Sequence, residues 1–176
     1  MIRNTKKTNS ACPLKLERSR GYALLETIFY VILFAILSVA VISAMITMTK
    51  AFKATTIQAE LMQGGNIMER ISREVRQAYS INSISTNDLK LNTKDDVGAN
   101  KTVEFVLIGS DVRFLENNVV TGNLNTQNVS ITALTFTQIN TAKGTAVKIF
   151  LTVISDNDSQ SHNENYYDTV VLRGDY

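Results

Sequence analysis

The sequence has very few of the residues that form covalent cross-links or bind transition metals. Its only cysteine is Cys12, its only histidine is His162, and tryptophan is absent. A single cysteine cannot form an intrachain disulfide, and after residue 12 no thiol is available for catalysis or for a metal–thiolate cluster. Any folded domain of this chain therefore depends on its apolar core and its hydrogen bonds.

The scarcity of histidine also argues against an enzyme. His162 lies in a polar segment, so a Ser–His–Asp catalytic arrangement is not indicated. The acidic residues of this segment, residues 156–164, leave calcium binding open as an alternative. Their spacing differs from that of an EF-hand loop and favours a solvated loop. We therefore expect no enzymatic activity, no cofactor and no metal site.

Charge is divided unevenly along the chain. Residues 1–21 contain six basic residues and one acidic residue, a net charge of +5, which leaves −3 for the remainder because the whole chain has +2. The basic residues directly precede an apolar run and are not interleaved with aromatic residues. This pattern indicates the cytoplasmic side of a membrane helix and not a nucleic-acid interface. The segment contains the only proline, Pro13, and we expect residues 1–20 to be unstructured.

A long apolar run follows this basic segment. Between Glu26 and Lys50 lie 23 residues without a charge. A helix of that length, at about 1.5 Å per residue, crosses the apolar core of a bilayer. The run is too long for a secretory signal, and it ends in Lys50 and Lys53 instead of a small-residue cleavage site. We therefore predict a transmembrane helix over residues 22–49.

Helical periodicity continues beyond the apolar run. Small and apolar residues recur at steps of three and four between residues 51 and 78, and Glu69 and Arg73 have a spacing that supports a helix. We predict an amphipathic helix over residues 50–79 that enters the folded domain. The pair Gly64-Gly65 weakens it, since each glycine costs about 1 kcal/mol relative to alanine. A bend or a close contact with another backbone would explain the pair.

From residue 80 onward the hydrophobic pattern changes to a period of two. Short β-rich segments are bounded by Asn, Asp and Gly, which predicts strands over residues 89–92, 102–108, 112–115, 129–139, 146–154 and 169–172, and a polar loop over residues 155–165. One face of these strands needs an apolar cover, and the helical stripe of residues 61–78 can provide it. We predict an α+β fold, in which the extramembrane half of the long N-terminal helix packs on an antiparallel β-sheet within residues 80–176.

The start of the apolar run resembles the type IV pilin and pseudopilin superfamily. Gly21, the aromatic Tyr22, three apolar residues and Glu26 follow one another in the order and spacing of that family's signal. The resemblance covers residues 20–49 and implies that a prepilin peptidase cuts between Gly21 and Tyr22 and methylates the new amino terminus. Residues 1–21 would then be a cleaved leader. Tyr22 stands where phenylalanine is commoner in the family.

A looser resemblance extends over the rest of the chain. Residues 67–80 and the spacing of the later strands are similar to J-type minor pseudopilins of type II secretion systems. Major pilins usually have a proline within the membrane helix and a disulfide near the end of the chain. This sequence has neither, since Cys12 and Pro13 both precede Gly21, and that favours a minor subunit.

Glu26 is the predicted assembly residue. A carboxylate in the apolar zone of a membrane costs on the order of a few kcal/mol when it has no partner. Cleavage after Gly21 would create a positive charge, the Tyr22 amine, and the amine of a neighbouring subunit could pair with Glu26 in one axial register. The alternative is a simple membrane anchor whose Glu26 reaches the interface.

Two classes of function follow from these patterns. The first is a minor pilin or pseudopilin of a type IV pilus-like or type II secretion filament, or of its tip. Its expected partners are the prepilin peptidase, other minor and major pilins or pseudopilins, and inner-membrane lipid. The second is a membrane-anchored extracytoplasmic binding module that never enters a filament. Both place the protein in the inner membrane as a single-pass chain with a cytoplasmic N-terminus.

Overall fold

One long helix precedes eight β-strands in the structure. The structure, a computed structural model, describes residues 20–142 and 144–173. Most of the predicted leader, residues 1–19 with Cys12, lies outside the described residues. The helix α1 spans Arg20–Gln77. The chain divides into two compact units, Met1–Lys50 and Ala51–Tyr176, and α1 contributes residues to both.

The part of α1 in the first unit presents apolar side chains on all sides. Its hydroxyl groups bond within the helix: Thr27 Oγ1 donates to the carbonyl of Ala23 at 2.6 Å, and Ser38 Oγ donates to the carbonyl of Phe34 at 2.8 Å. These bonds leave few polar groups that need water. This segment therefore has the surface of a helix that is surrounded by an apolar medium.

The second unit contains two antiparallel sheets. The first has five strands in sequence order, and the second has three strands in sequence order. The strands of the first sheet are β1 (Ser80–Ile84), β2 (Asp88–Lys94), β3 (Asn100–Ile108), β4 (Asp111–Glu116) and β5 (Val119–Asn123). Those of the second sheet are β6 (Val129–Thr141), β7 (Gly144–Ser155) and β8 (Asn163–Val171). The pairing of β6 with β7 contains a bulge between Ile131 and Ala133.

One face of α1 in the second unit forms a common core with both sheets. The buried apolar residues on this face are Ile67, Met68, Ile71 and Val75 of α1, together with Ala78 directly after its end. The core also contains alternate strand residues, among them Leu89, Phe105, Leu134, Ile149 and Leu151. This confirms the predicted stripe. The α+β prediction is confirmed in its coarse form, one long apolar helix followed by antiparallel sheet.

Gly64 is required by close packing, and α1 continues through it. The ring of Tyr166 from β8 lies over this glycine, and its hydroxyl donates to the carbonyl of Leu61 at 2.8 Å. A Cβ on Gly64 would come within 2.7 Å of Val153 Cγ2 and would also collide with the Tyr166 ring. The close contact is therefore with two side chains, where the sequence predicted a bend or another backbone.

Several boundaries differ from the prediction. The strands form two sheets where one was predicted, and β1 and β5 were missed. β8 begins at Asn163, inside the predicted polar loop. α1 ends at Gln77, two residues before the predicted end, because the Tyr79 N–H donates to the carbonyl of Asn92 in β2 at 3.0 Å. The backbone of Tyr79 therefore bonds to the sheet and does not continue the helix.

Candidate functional site

The three residues predicted to direct processing and assembly lie in the first turns of α1. Gly21 is its second residue, and Tyr22 and Glu26 follow on exposed helix. The Tyr22 side chain is 76% exposed. The helix already includes Arg20, so the predicted cleavage position lies inside α1 in the uncut chain.

Glu26 has one hydrogen-bond partner in the described part of the chain. The hydroxyl of Tyr30 donates to Glu26 Oε1 at 3.3 Å, one helical turn further along α1. This donor is neutral, and no basic side chain of residues 22–142 or 144–173 lies within ion-pair distance of Glu26. A carboxylate has two oxygens and about four acceptor positions. Glu26 therefore keeps free acceptor positions for a charged partner.

Tyr30 was missed by the sequence prediction. Its signal was present in the sequence, since residues four apart on a helix are neighbours and the phenol is a hydrogen-bond donor. The hydrogen bond from Tyr30 also lowers the free-energy cost of the Glu26 carboxylate in a chain that has no neighbouring subunit. A carboxylate that accepts one hydrogen bond is less costly in an apolar medium than one that accepts none. Tyr30 is therefore part of the site.

The surroundings of this site have the composition of a membrane span. Among the described residues, one helix is long and apolar enough to cross a bilayer. The candidate for a membrane span covers Tyr22–Gln77 of α1. Its most apolar stretch of 18 residues has a mean hydropathy of 2.7, and none of that stretch is buried within the chain. The helix is compatible with a single-pass membrane anchor. The prediction for residues 22–49 is thus confirmed at the level of a long, apolar and uncovered helix.

The polar loop between β7 and β8 uses its acidic groups internally. The Asp158 carboxylate accepts hydrogen bonds from the backbone N–H of Gln160 at 3.0 Å and of His162 at 2.8 Å, and it contacts the His162 ring. These bonds lower the pKa of Asp158 to about 2. Within residues 20–142 and 144–173 there is no group of three acidic, histidine or cysteine side chains placed to hold a metal ion.

Two polar side chains of α1 hold the loops of the second unit. Glu60 is buried and accepts hydrogen bonds from the Ser155 hydroxyl and from Asn157 Nδ2, the latter at 2.7 Å. Gln63 Oε1 accepts a hydrogen bond from Thr126 Oγ1 at 3.0 Å, in the loop between β5 and β6. The Glu60 contacts fix a loop between β7 and β8 that has no apolar residue, whereas the Gln63 contact adds to the packing of Leu124 against the core.

Comparisons of the chain with models of protein families, with curated proteins and with solved structures found no match. The roles predicted for Gly21, Tyr22 and Glu26 therefore rest on the sequence alone.

Proposed function

We propose that this protein is a minor pilin or pseudopilin, the subunit of a type IV pilus-like or type II secretion filament or of its tip. It is inserted in the inner membrane with its leader in the cytoplasm. A prepilin peptidase removes residues 1–21 and methylates Tyr22. The processed subunit then leaves the bilayer and joins other minor and major pilins or pseudopilins. The resemblance to J-type minor pseudopilins makes a type II secretion system the favoured setting.

One observation carries this proposal. A basic leader, Gly21, Tyr22 and Glu26 occur in this order at the front of an uncovered apolar helix. In a plain membrane anchor, a carboxylate in the apolar zone adds cost without a function unless it reaches the interface. A filament subunit uses the same cost to favour assembly, since the carboxylate gains a cationic partner only beside another subunit.

The second unit supports the same proposal. Its core is completed by residues 61–77 of α1, the helix that begins with the predicted assembly residues. A subunit of this kind carries its folded domain directly on the helix that would pack in the filament.

Cleavage by a prepilin peptidase tests the proposal. Co-expression of the chain with an active peptidase should shorten it by 21 residues and leave methylated Tyr22 at the amino terminus, as read by intact-mass spectrometry. Gly21→Val should prevent cleavage, because a branched side chain replaces hydrogen at the cut. Ala23→Val is the matched control, since it adds the same kind of bulk two residues later.

Absence of cleavage would contradict the proposal. A chain of unchanged mass in the presence of a peptidase that cuts a known prepilin would show that this protein keeps its leader. The proposal would then fail, and the membrane-anchored binding module would be the better assignment.

A further inference from the structure

Three arginines from two elements line one groove of the second unit. Arg73 and Arg76 lie in the last turns of α1, and Arg173 follows the end of β8. Gln77 and Val171 complete the lining, and the groove has a volume of about 410 Å³. All three arginines are exposed. Their guanidinium groups are therefore accessible to a ligand from solution.

These arginines have no counterion in the described part of the chain. None of them forms an ion pair with a described carboxylate, and the predicted pairing of Glu69 with Arg73 is not formed. Arg70 on the same helix is different, since it pairs with Glu74 at 3.2 Å and lies 5.0 Å from the centre of the Phe114 ring. Three like charges around one groove repel one another, and an anion would relieve that repulsion.

The helix dipole explains only part of this cluster. A basic residue in the last turn of a helix is stabilised by the nearby carbonyl groups, which accounts for Arg76. It gives no reason for Arg173, which comes from a different element about a hundred positions later and reaches the same groove. The convergence of two elements on one groove indicates a ligand.

The dimensions of the groove favour several carboxylates on an extended chain. Side chains three apart on a helix have Cβ atoms about 5–6 Å apart, the relation of Arg73 to Arg76. Alternate side chains of an extended peptide are about 6.8 Å apart, so successive acidic residues on one face can meet successive guanidinium groups. β8 is the last strand of its sheet, and its outer edge pairs with no other described strand. Val171, at that edge, can pack against the aliphatic side-chain carbons of a bound peptide.

We infer that the groove of Arg73, Arg76 and Arg173 binds an acidic, extended segment of a partner protein. Each guanidinium group can donate two parallel hydrogen bonds to one carboxylate. Gln77 can donate to the backbone of the bound segment, and Val171 packs against its aliphatic carbons. This inference concerns the second unit alone and does not depend on cleavage after Gly21 or on filament assembly.

Fluorescence anisotropy with a labelled hexaglutamate peptide tests this inference. The full chain is kept in non-ionic detergent micelles, and the peptide is titrated at fixed ionic strength. Replacement of Arg73, Arg76 and Arg173 by glutamine should weaken binding about tenfold or more, since charge-assisted hydrogen bonds are lost. The matched control, Lys94→Gln, Arg113→Gln and Lys148→Gln, removes the same charge from the sheets and should retain the wild-type dissociation constant.

Four outcomes would overturn the inference. Equal loss of affinity in both triple variants would show that net charge alone attracts the peptide, and no binding to the wild type would remove the site. Displacement by inorganic phosphate, at an ionic strength where chloride has no effect, would assign the groove to a phosphate ligand. Binding that appears only after Asp175→Asn would show that a carboxylate of the same chain fills the groove.

Discussion

At the scale of single residues, the adjacent Gly64 and Gly65 should respond in opposite ways to substitution by alanine. A Cβ on Gly64 would lie within 2.7 Å of Val153 Cγ2, whereas a Cβ on Gly65 would lie at an ordinary 3.7 Å from the Tyr166 ring. Gly64→Ala should destabilise the second unit by up to about 2 kcal/mol, because overpacking exceeds the gain in helix propensity. Gly65→Ala should stabilise it by up to about 1 kcal/mol.

Urea unfolding of the full chain in non-ionic detergent, followed by near-ultraviolet circular dichroism, measures both changes. Gly65→Ala is the matched control for Gly64→Ala, since the substitution and the helix are the same. Equal effects of the two alanines would mean that the Tyr166 ring does not limit the space at Gly64. As an independent test of the clash, the double change Tyr166→Ala with Gly64→Ala should be less destabilising than the sum of the single changes, because removal of the ring gives space to the new methyl group.

Asp88 is a second residue whose environment makes a measurable prediction. Its Oδ1 atom is buried without a hydrogen-bond partner. Burial, followed by the nearby Glu104 charge, raises the pKa of Asp88 above its ordinary 3.8, while Lys90 acts in the opposite direction. The ionised form is therefore disfavoured in the folded state. Asp88→Asn should raise the midpoint of thermal unfolding at pH 7, because it removes this charge and adds a donor beside Glu104.

The pH dependence of the stability gained by Asp88→Asn shows whether the gain comes from removal of the charge or from the amide group itself. A pKa that is raised on folding means that wild-type Asp88 reduces stability above that pKa and stops doing so when it is protonated. The advantage of Asp88→Asn should therefore be largest at pH 7, should shrink as the pH falls through the raised pKa of Asp88, and should be lost below the ordinary value of 3.8. Asp96→Asn, at an exposed turn position, is the control. An advantage of Asp88→Asn that persists unchanged at pH 3 would contradict the charge explanation.

At the scale of elements, periodicity predicted the parts of the fold that have one buried face. The helix stripe around Ile71 and the alternation in β2 and β7 follow from burial on one side, and both are visible in the sequence. β6 alternates less strictly because the bulge between Ile131 and Ala133 moves the buried positions by one. The sequence shows this irregularity without showing its cause.

The strands that were missed or misplaced are edge strands with few buried residues. β1 and β5 lie at the two edges of the first sheet, and no residue of either is fully buried. β8 is an edge strand as well, and its first seven residues are polar or aromatic and not fully buried. Such strands are held mainly by backbone hydrogen bonds to their neighbours. Their sequences therefore show no alternation of apolar and polar residues from which a strand could be predicted. The division into two sheets depends on the same long-range pairing.

The dependence of the strands on α1 can be tested with two fragments. A fragment of residues 58–176 retains the helix face from Ile67 to Ala78 and the buried Glu60, so it should be soluble and show helix and strand signals in circular dichroism. A fragment of residues 80–176 lacks the helix that covers the core. It should aggregate, because a large uncovered apolar face associates nonspecifically.

Size-exclusion chromatography with light scattering distinguishes the two fragments. Val75→Asp in the longer fragment is the control, since it places a charge at a fully buried helix position and should reproduce the aggregation of the shorter one. A shorter fragment that remains monomeric and cooperatively folded would show that the two sheets complete their core without α1.

At the scale of the whole molecule, the candidate site was predictable only where its residues are close in sequence. Gly21, Tyr22 and Glu26 lie within six positions, so their spacing is recognisable from the order of residues alone. The arginine groove could not be predicted, because Arg173 meets Arg73 and Arg76 only through the packing of β8 beside α1. Neighbouring residues of a helix are fixed by its geometry, whereas contacts between distant segments depend on the topology.

The charge of Glu26 should matter for assembly and little for insertion. In the proposed subunit, Glu26→Ala would remove a costly carboxylate from the apolar zone, so insertion should be at least as favourable as in the wild type. Cleavage after Gly21 should continue, because the cut lies five residues earlier. Incorporation into filaments should fall sharply for Glu26→Ala and equally for Glu26→Gln, because the amide has a similar size but cannot pair with the Tyr22 amine of a neighbour.

Crosslinking of the subunit into sheared filaments, or into a complex with its fellow minor subunits, measures incorporation. Tyr30→Phe is the matched control, since it removes the neutral hydrogen bond to Glu26 and leaves the charge; it should incorporate far better than Glu26→Gln. Wild-type incorporation of both Glu26 variants and also of Gly21→Val, which keeps its leader and has no free Tyr22 amine, would refute charge pairing and leave Glu26 as a residue that reaches the membrane surface. A subunit at the tip has neighbours on one side only, so at that position Glu26 can be dispensable while the Tyr22 amine, offered to the next subunit's carboxylate, is still required. Failure of a Gly21→Val chain to incorporate, together with normal incorporation of Glu26→Gln, would identify that tip position.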